Sequence, residues 1–218
     1  MRKLLSIVYT WLDARTGVDE LRGEFLNHEV RPYINWMWCF GGLTFLTFVI
    51  LLVTGPFLAL YYVPTPTEAY ISVQTVIQDV PYGWMMRNLH KWGSNLMIVL
   101  IGLHALRVFY HGAFRPPREM TWITGALLIA LVMTADFTGY LLPWDQIAYW
   151  ATVVGTEMIQ VLPGGMTILE ILRGGTDIGA GTLNRFFIIH VFVLPVLIMA
   201  ICGAHFLMIR LRGIADPL

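Results

Sequence analysis

Long apolar stretches almost free of charged residues divide the chain. No Asp, Glu, Lys or Arg lies in 32–67 or 186–209, and Asp136 is the only one in 120–144. About 20 apolar helical residues cross the ~30 Å hydrocarbon core of a bilayer. The pattern therefore predicts four membrane-spanning helices. They are span A, about 36–62, span B, about 84–110, span C, about 121–142, and span D, about 183–211.

The segments outside these spans are short. Residues 1–35 carry apolar positions at helical spacing among charges, which is typical of a helix lying in the membrane interface. Residues 144–182 mix polar and apolar positions around Pro163 and Gly164, which favours short surface helices over a fifth span. The predicted fold is an all-α, integral membrane four-helix bundle (36–218) preceded by an N-terminal segment (1–35) with an interfacial helix.

Composition and charge narrow the class further. The chain of 218 residues is 57% apolar and 13% charged, against roughly 25% charged residues in soluble domains, which excludes a soluble globule. The formal net charge of zero argues against nucleic-acid binding, and Cys39 and Cys202 make no disulfide framework.

The distribution of Lys and Arg predicts the orientation. Ten flank the N-terminal end of span A, the B–C connection and the C-terminal end of span D, whereas four lie on the opposite side. Because cytoplasmic loops carry the excess of Lys and Arg, both termini are expected on the cytoplasmic or stromal (n) side.

Four of the six histidines lie on two spans at matched depths. His90 and His104 on span B are 14 residues apart, and His190 and His205 on span D are 15 apart. At about 1.5 Å per residue each pair is separated by roughly 21–22 Å along the axis. A lone intramembrane histidine is more often a hydrogen-bonded core residue or a proton relay. Four at two shared depths favour two bis-histidine haems stacked across the bilayer.

Glycines and arginines repeat the same spacing. Gly41 and Gly55 on span A, like Gly125 and Gly139 on span C, are 14 residues apart, as expected where a bulky group must approach the backbone. Small-residue helix packing explains isolated glycines well but gives no reason for the shared interval. Arg87 and Arg107 lie three residues from His90 and His104, and serve either haem propionates or membrane anchoring.

Several motifs resemble the cytochrome b family. They are Trp38–Gly42, Arg87–His90, Pro117–Glu119, Thr138–Gln146, Thr182–Phe187 and His205–Arg210. The resemblance covers essentially the whole chain. Four spans, a second histidine interval of 15 residues and a cysteine before Gly41 match the short, split cytochrome b6 branch of b6f-type complexes. In that branch a separate subunit IV-like chain carries the remaining spans with the Pro-Glu-Trp-Tyr motif, which this sequence lacks.

The resemblance implies a proton-translocating quinol:cytochrome c or plastocyanin oxidoreductase that works by a Q-cycle. The implied cofactors are two haem b, ligated by His90 with His190 on the p side and by His104 with His205 on the n side, and a c-type haem bound covalently through Cys39. The implied partners are quinol and quinone, a subunit IV-like chain, a Rieske iron–sulfur protein and a cytochrome c or f-type subunit. Together they form a dimeric complex in a bacterial plasma membrane or a thylakoid.

By motif position, Phe137, Tyr140 and Val154 match the p-side quinol pocket, and Glu24 and Arg210 are candidates for handling quinone or its protons on the n side. A rival function is the di-haem, quinone-linked membrane anchor of a hydrogenase or formate-dehydrogenase type enzyme. A second rival is a transporter whose histidines relay protons. Asp136 departs from the family pattern, and the sequence assigns it no role.

Overall fold

The computed structural model describes residues 2–16 and 36–214, and every regular element within those ranges is helical. The chain divides into two compact units, Met1–Trp36 and Met37–Leu218. In the first unit, helix α1 covers Arg2–Thr16. Ile7, Val8 and Trp11 of the predicted apolar stripe are exposed on it. Its interfacial placement stays a prediction.

Four helices of the second unit are long and apolar enough to cross a membrane, which confirms the predicted bundle. The spans are A, Trp36–Ala59, B, Gly83–Tyr110, C, Glu119–Leu141, and D, Ala180–Arg212. Span A begins with a 3₁₀ turn, Trp36–Cys39, and continues as α2, Phe40–Ala59. Spans B and C are α4 and α5, with the short α3, Ala69–Gln78, before span B. Span A packs mainly against span B, and span C against span D.

Span D changes its helical form at one histidine. It runs as α8, Ala180–Ile188, then a π-helical turn, Ile189–Val193, then α9, Leu194–Arg212. A π turn pairs i with i+5 and so holds one residue more than an α turn. Since His190 lies in this turn, the extra residue in the 15-residue interval to His205 is accommodated there. The two spans can then present histidines at the same two depths.

An apolar layer separates the two histidine levels. Its buried residues are Phe48, Met97, Ile101, Val132 and Ile198. Phe48 lies seven residues from both Gly41 and Gly55, and Val132 is likewise midway between the span C glycines. All four spans therefore contribute to the layer, which lies halfway between the levels and keeps each histidine site a separate compartment.

The end of the bundle where span A ends and helix α6, Gln146–Glu157, begins is held by specific polar contacts. Asp145, which follows span C, caps helix α6 by accepting a hydrogen bond from the Ala148 backbone N–H at 2.8 Å. Tyr62, just after span A, donates from its phenol to the Leu142 carbonyl at 2.7 Å. Burial raises the pKa of the Tyr62 phenol above its ordinary value near 10. These bonds fix where spans A and C end relative to α6.

A buried arginine joins the short helices between spans C and D. Arg173 ends α7, Gly165–Arg173. Its Nε and Nη2 donate to the Thr156 hydroxyl on α6 at 2.8 and 2.6 Å, and Nη2 also donates to the Val153 carbonyl at 3.2 Å. The Arg173 carbonyl accepts from Thr182 of α8 at 2.7 Å. The predicted short helices are therefore present, and Arg173 connects them: its side chain bonds to α6 and its backbone carbonyl bonds to α8.

Candidate functional site

The structure brings one histidine of span B and one of span D together. The ring centroids of His90 and His190 are 6.2 Å apart, with the ring planes at 79°. Metal–imidazole bonds measure about 2 Å each, so one metal atom fits between two rings at this separation. Both imidazoles could therefore coordinate one metal atom held between them.

Hydrogen bonds at Nδ1 orient three of the four imidazoles. The Ala135 carbonyl lies 2.9 Å from Nδ1 of His190, and the hydroxyls of Thr54 and Thr124 lie 2.8 and 2.9 Å from Nδ1 of His90 and His205. A carbonyl only accepts, so His190 carries its proton on Nδ1.

The two threonines show that His90 and His205 also carry their proton on Nδ1. Each hydroxyl has a single proton, which Thr54 directs to the Ile50 carbonyl at 2.8 Å and Thr124 to the Met120 or Thr121 carbonyl at 3.0 Å. Each hydroxyl oxygen therefore accepts from the imidazole Nδ1–H. In a neutral ring this leaves Nε2 with a free lone pair, the form that binds a metal.

Each of the four glycines predicted from spacing packs against one histidine ring. A Cβ built on Gly139 would lie 2.5 Å from Cε1 of His190, and one on Gly41 would lie 3.0 Å from Cε1 of His104. The corresponding distances are 3.3 Å from Gly55 to His90 and 3.4 Å from Gly125 to His205. The missing side chains thus make room first of all for the imidazole edges.

The other histidine pair lines a large cavity. Its volume is about 380 Å³, and His104 and His205 line it together with Gly41, Gly125 and Arg107. Arg107 is 8% exposed, and its Nε and Nη2 have no hydrogen-bond partner among the described residues. Its guanidinium lies over the Trp38 ring at 4.2 Å. A buried cation with unsatisfied donors, beside two histidines in an apolar cavity, fits the carboxylate of a haem propionate.

The predicted quinol-pocket residues lie where span C meets α6. Phe137 packs between Gly155 of α6, where a built Cβ would be 2.5 Å from its ring, and Phe186 of α8. Tyr140 and Val154 are 51% and 62% exposed. The structure therefore places Phe137 inside the packing and leaves Tyr140 and Val154 on an open surface.

Three other predicted residues lie near the ends of spans A, B and D. Cys39 is exposed at the end of the 3₁₀ turn, two residues before Gly41. Arg87 is half-buried in the first turns of span B, and Arg210 is exposed near the end of span D. Glu24 lies outside the described residues.

Comparison with known proteins settles the family. A family model described as cytochrome b/b6/petB matches residues 25–213. The chain belongs to the cytochrome b family. It is 42% identical over 215 residues to cytochrome b6 of Acaryochloris marina, covering 98% of this chain and 100% of that protein. It is 41% identical over 215 residues to cytochrome b6 of Chlamydomonas reinhardtii, with the same coverage.

The solved structures agree. A chain of a hyperthermophilic respiratory complex III superposes with a TM-score of 0.90 at 31% identity. That match covers 95% of this cytochrome b chain, which spans 56% of the complex III chain. Family membership makes the protein a haem-bearing, integral membrane subunit of a quinol oxidoreductase. The anchor of a hydrogenase or formate-dehydrogenase type enzyme is not favoured.

The sequence reasoning missed the threonines that orient the ligands. Thr54, Thr124 and Thr138 each directly precede one of the four glycines, and Thr138 also lies 3.4 Å from Nδ1 of His190. The signal was available as a repeated Thr-Gly pair at the haem-spaced positions. At Gly55 and Gly125, one helical residue therefore leaves space for an imidazole edge while the preceding threonine accepts the ring proton.

Proposed function

We propose that this cytochrome b subunit holds two b haems, one between His90 and His190 and one between His104 and His205, and carries electrons from the p side to the n side. The proposal is carried by the facing imidazoles of His90 and His190, each with a free Nε2 lone pair. A bound b haem supplies one-electron transfer between its oxidised and reduced states. The chain itself supplies the ligands, their tautomer, the spacing and an apolar surrounding.

Selective loss of one haem tests the pairing. We expect His104→Ala to leave one haem per polypeptide in reduced-minus-oxidised spectra, and His90→Ala to leave the other, because each removes one axial ligand. His111→Ala is the matched control, since its ring contacts Trp38 and Tyr110 instead of another histidine. Retention of both haems in His104→Ala would contradict the assignment.

We further propose that Cys39 carries the covalently bound c-type haem on the n side. The thiol would hold the haem by adding across one of its vinyl groups, with one C–S bond formed and the thiol proton transferred to the adjacent carbon. Support comes from position, since Cys39 is exposed and its neighbours Trp38 and Gly41 line the n-side cavity.

Two cysteines allow a matched test of this attachment. Acid–acetone strips histidine-held haem, so haem-dependent peroxidase staining of the denatured wild-type polypeptide should persist, and Cys39→Ala should abolish it. Cys202→Ala is the control, because Cys202 also lines the n-side cavity. An unstained wild-type chain with the mass of the bare polypeptide would refute the covalent haem.

We assign both termini to the n side. The support is the ten-to-four asymmetry of Lys and Arg. A topology reporter fused after Leu218 should be active in the cytoplasm or stroma. Periplasmic or lumenal activity would reverse the assignment of the two haem sites to the p and n sides.

The activity we propose is quinol:cytochrome c or plastocyanin oxidoreduction by a Q-cycle. Phe137, Tyr140 and Val154 contribute one wall of the p-side quinol pocket, and a subunit IV-like chain covers the exposed Tyr140 and Val154. A Rieske iron–sulfur protein, a cytochrome c or f-type subunit and a second copy complete the complex. Glu24 and Arg210 handle quinone or its protons on the n side.

Val154→Trp should slow quinol oxidation in the purified complex without changing its haem content, and an unchanged rate would argue against this pocket.

A further inference from the structure

An acidic side chain inside the bundle has no role in the function described so far. Asp136 is the only charged residue of span C beyond its first residue, Glu119. It is half-buried, and its Oδ1 accepts a hydrogen bond from the hydroxyl of Ser94 on span B. A carboxylate within a membrane span is expensive, and such residues usually mark a function.

The contacts of its neighbours place Asp136 at the p-side histidines. Ala135, the preceding residue, accepts the Nδ1–H of His190 at 2.9 Å. Gly139, one turn further on, packs against the same ring. Ser94 lies one turn after His90 on span B. The Ser94–Asp136 bond therefore joins spans B and C beside both p-side ligands, and Asp136 is close enough to His190 to interact with it electrostatically.

Within residues 2–16 and 36–214, a hydroxyl group and not a cation contacts this carboxyl group. Among the described residues, neither Lys nor Arg forms an ion pair with Asp136, and Ser94 provides its hydrogen bond. The apolar layer of Met97, Ile101 and Val132 lies on the mid-membrane side of the pair. Charges in such surroundings interact over longer distances than charges in water, because the effective dielectric constant is lower.

We propose that the Asp136 carboxylate, held by Ser94, lowers the reduction potential of the p-side haem relative to the n-side haem. This inference rests on the proposed ligation by His90 and His190. The oxidised state of a bis-histidine haem carries one more positive charge than the reduced state, so a nearby negative charge stabilises the oxidised state. The n-side level has no equivalent acid among the residues lining its cavity. The difference drives electrons from the p-side site toward the n-side site.

Redox titration of the purified complex tests this proposal. We expect Asp136→Asn, which keeps the shape and can still accept from Ser94, to favour reduction of the p-side haem by about tenfold. A tenfold change is 59 mV for a one-electron couple. The n-side midpoint should not move, and both haems should be retained. Thr134→Val is the matched control, because Thr134 lies two residues away on the same span, is exposed and donates only to the Ala130 carbonyl.

Ser94→Ala separates charge from the interhelical bond. It removes the bond but keeps the carboxylate, so its p-side midpoint should stay below that of Asp136→Asn. Equal rises in the two variants, or an unmoved midpoint in Asp136→Asn, would overturn the proposal. Haem content is measured separately. If a histidine variant such as His104→Ala retained both haems, the proposed ligation would be rejected instead.

Infrared spectroscopy of the wild-type complex covers the case in which Asp136→Asn does not assemble. Redox-difference spectra recorded across the midpoint potential of the p-side haem should contain carboxylate bands. These bands should shift when aspartate is isotopically labelled. A protonated carboxyl band from Asp136 in the oxidised state would also overturn the proposal, because a neutral group supplies no negative charge.

Discussion

Gly139→Ala should weaken haem binding at the proposed His90–His190 site while leaving the proposed His104–His205 site unaffected. The added Cβ would lie 2.5 Å from Cε1 and 3.0 Å from Nδ1 of His190, whereas carbon atoms pack best at about 3.5–4.0 Å. The ring cannot swing away freely, because its Nδ1 is bonded to the Ala135 carbonyl at 2.9 Å. The substitution therefore displaces the coordinating nitrogen or strains span C.

The magnitude follows from the overlap of about 1 Å. Inserting a methyl group into tight packing costs about 1–3 kcal/mol, and each 1.4 kcal/mol is a tenfold change in affinity. We expect the haem affinity of the p-side site to fall by roughly 10- to 100-fold. The same substitution at Gly125 should be nearly silent, since its Cβ would meet His205 at an ordinary contact of 3.4 Å.

Haem content per polypeptide, measured by pyridine haemochrome and low-temperature difference spectra, checks this ordering. Gly203→Ala is the control, because nothing lies within 4 Å of its built Cβ although it is two residues from His205. The expected order of haem loss is Gly139, then Gly41, then Gly55, then Gly125. If Gly125→Ala lost more haem than Gly139→Ala, the idea that imidazole clearance explains the glycines would be wrong.

Three further substitutions test contacts seen in the structure. Thr54→Val removes the acceptor that orients the His90 imidazole, so it should lower the haem affinity of the proposed p-side site by about tenfold. Thr54→Ser should restore that affinity, measured by the same difference spectra. Arg173→Leu breaks the buried bonds between the short p-side helices and should lower the unfolding free energy by about 3 kcal/mol, measured by thermal melting in detergent; a melting temperature unchanged from wild type would argue against this role. Tyr62→Phe leaves the Leu142 carbonyl without its donor and should cost about 1 kcal/mol. Because burial raises the folded pKa of Tyr62, wild-type stability should fall as the pH rises past the unfolded value of about 10, and Tyr62→Phe should abolish that part of the slope.

The sequence alone was sufficient to predict the four-span architecture and which glycines and histidines lie at the same depth. Four apolar stretches predicted spans A to D to within a few residues, because membrane length and hydrophobicity are local properties of the chain. The shared interval of 14 residues matched Gly41 and Gly55 to the depths of His104 and His90, because helical rise is constant.

Only the tertiary structure decided what each side chain contacts. The proton on Nδ1 of His90 is assigned by Thr54, which is 36 residues earlier on another span, and Asp136 finds Ser94 across the bundle. The π turn at His190 is also a product of packing, since hydropathy does not distinguish it from the α-helix on either side. Hydrophobic periodicity specifies depth and face, but hydrogen-bond partners depend on how neighbouring helices are rotated against each other, and that rotation is set by contacts between residues far apart in the chain.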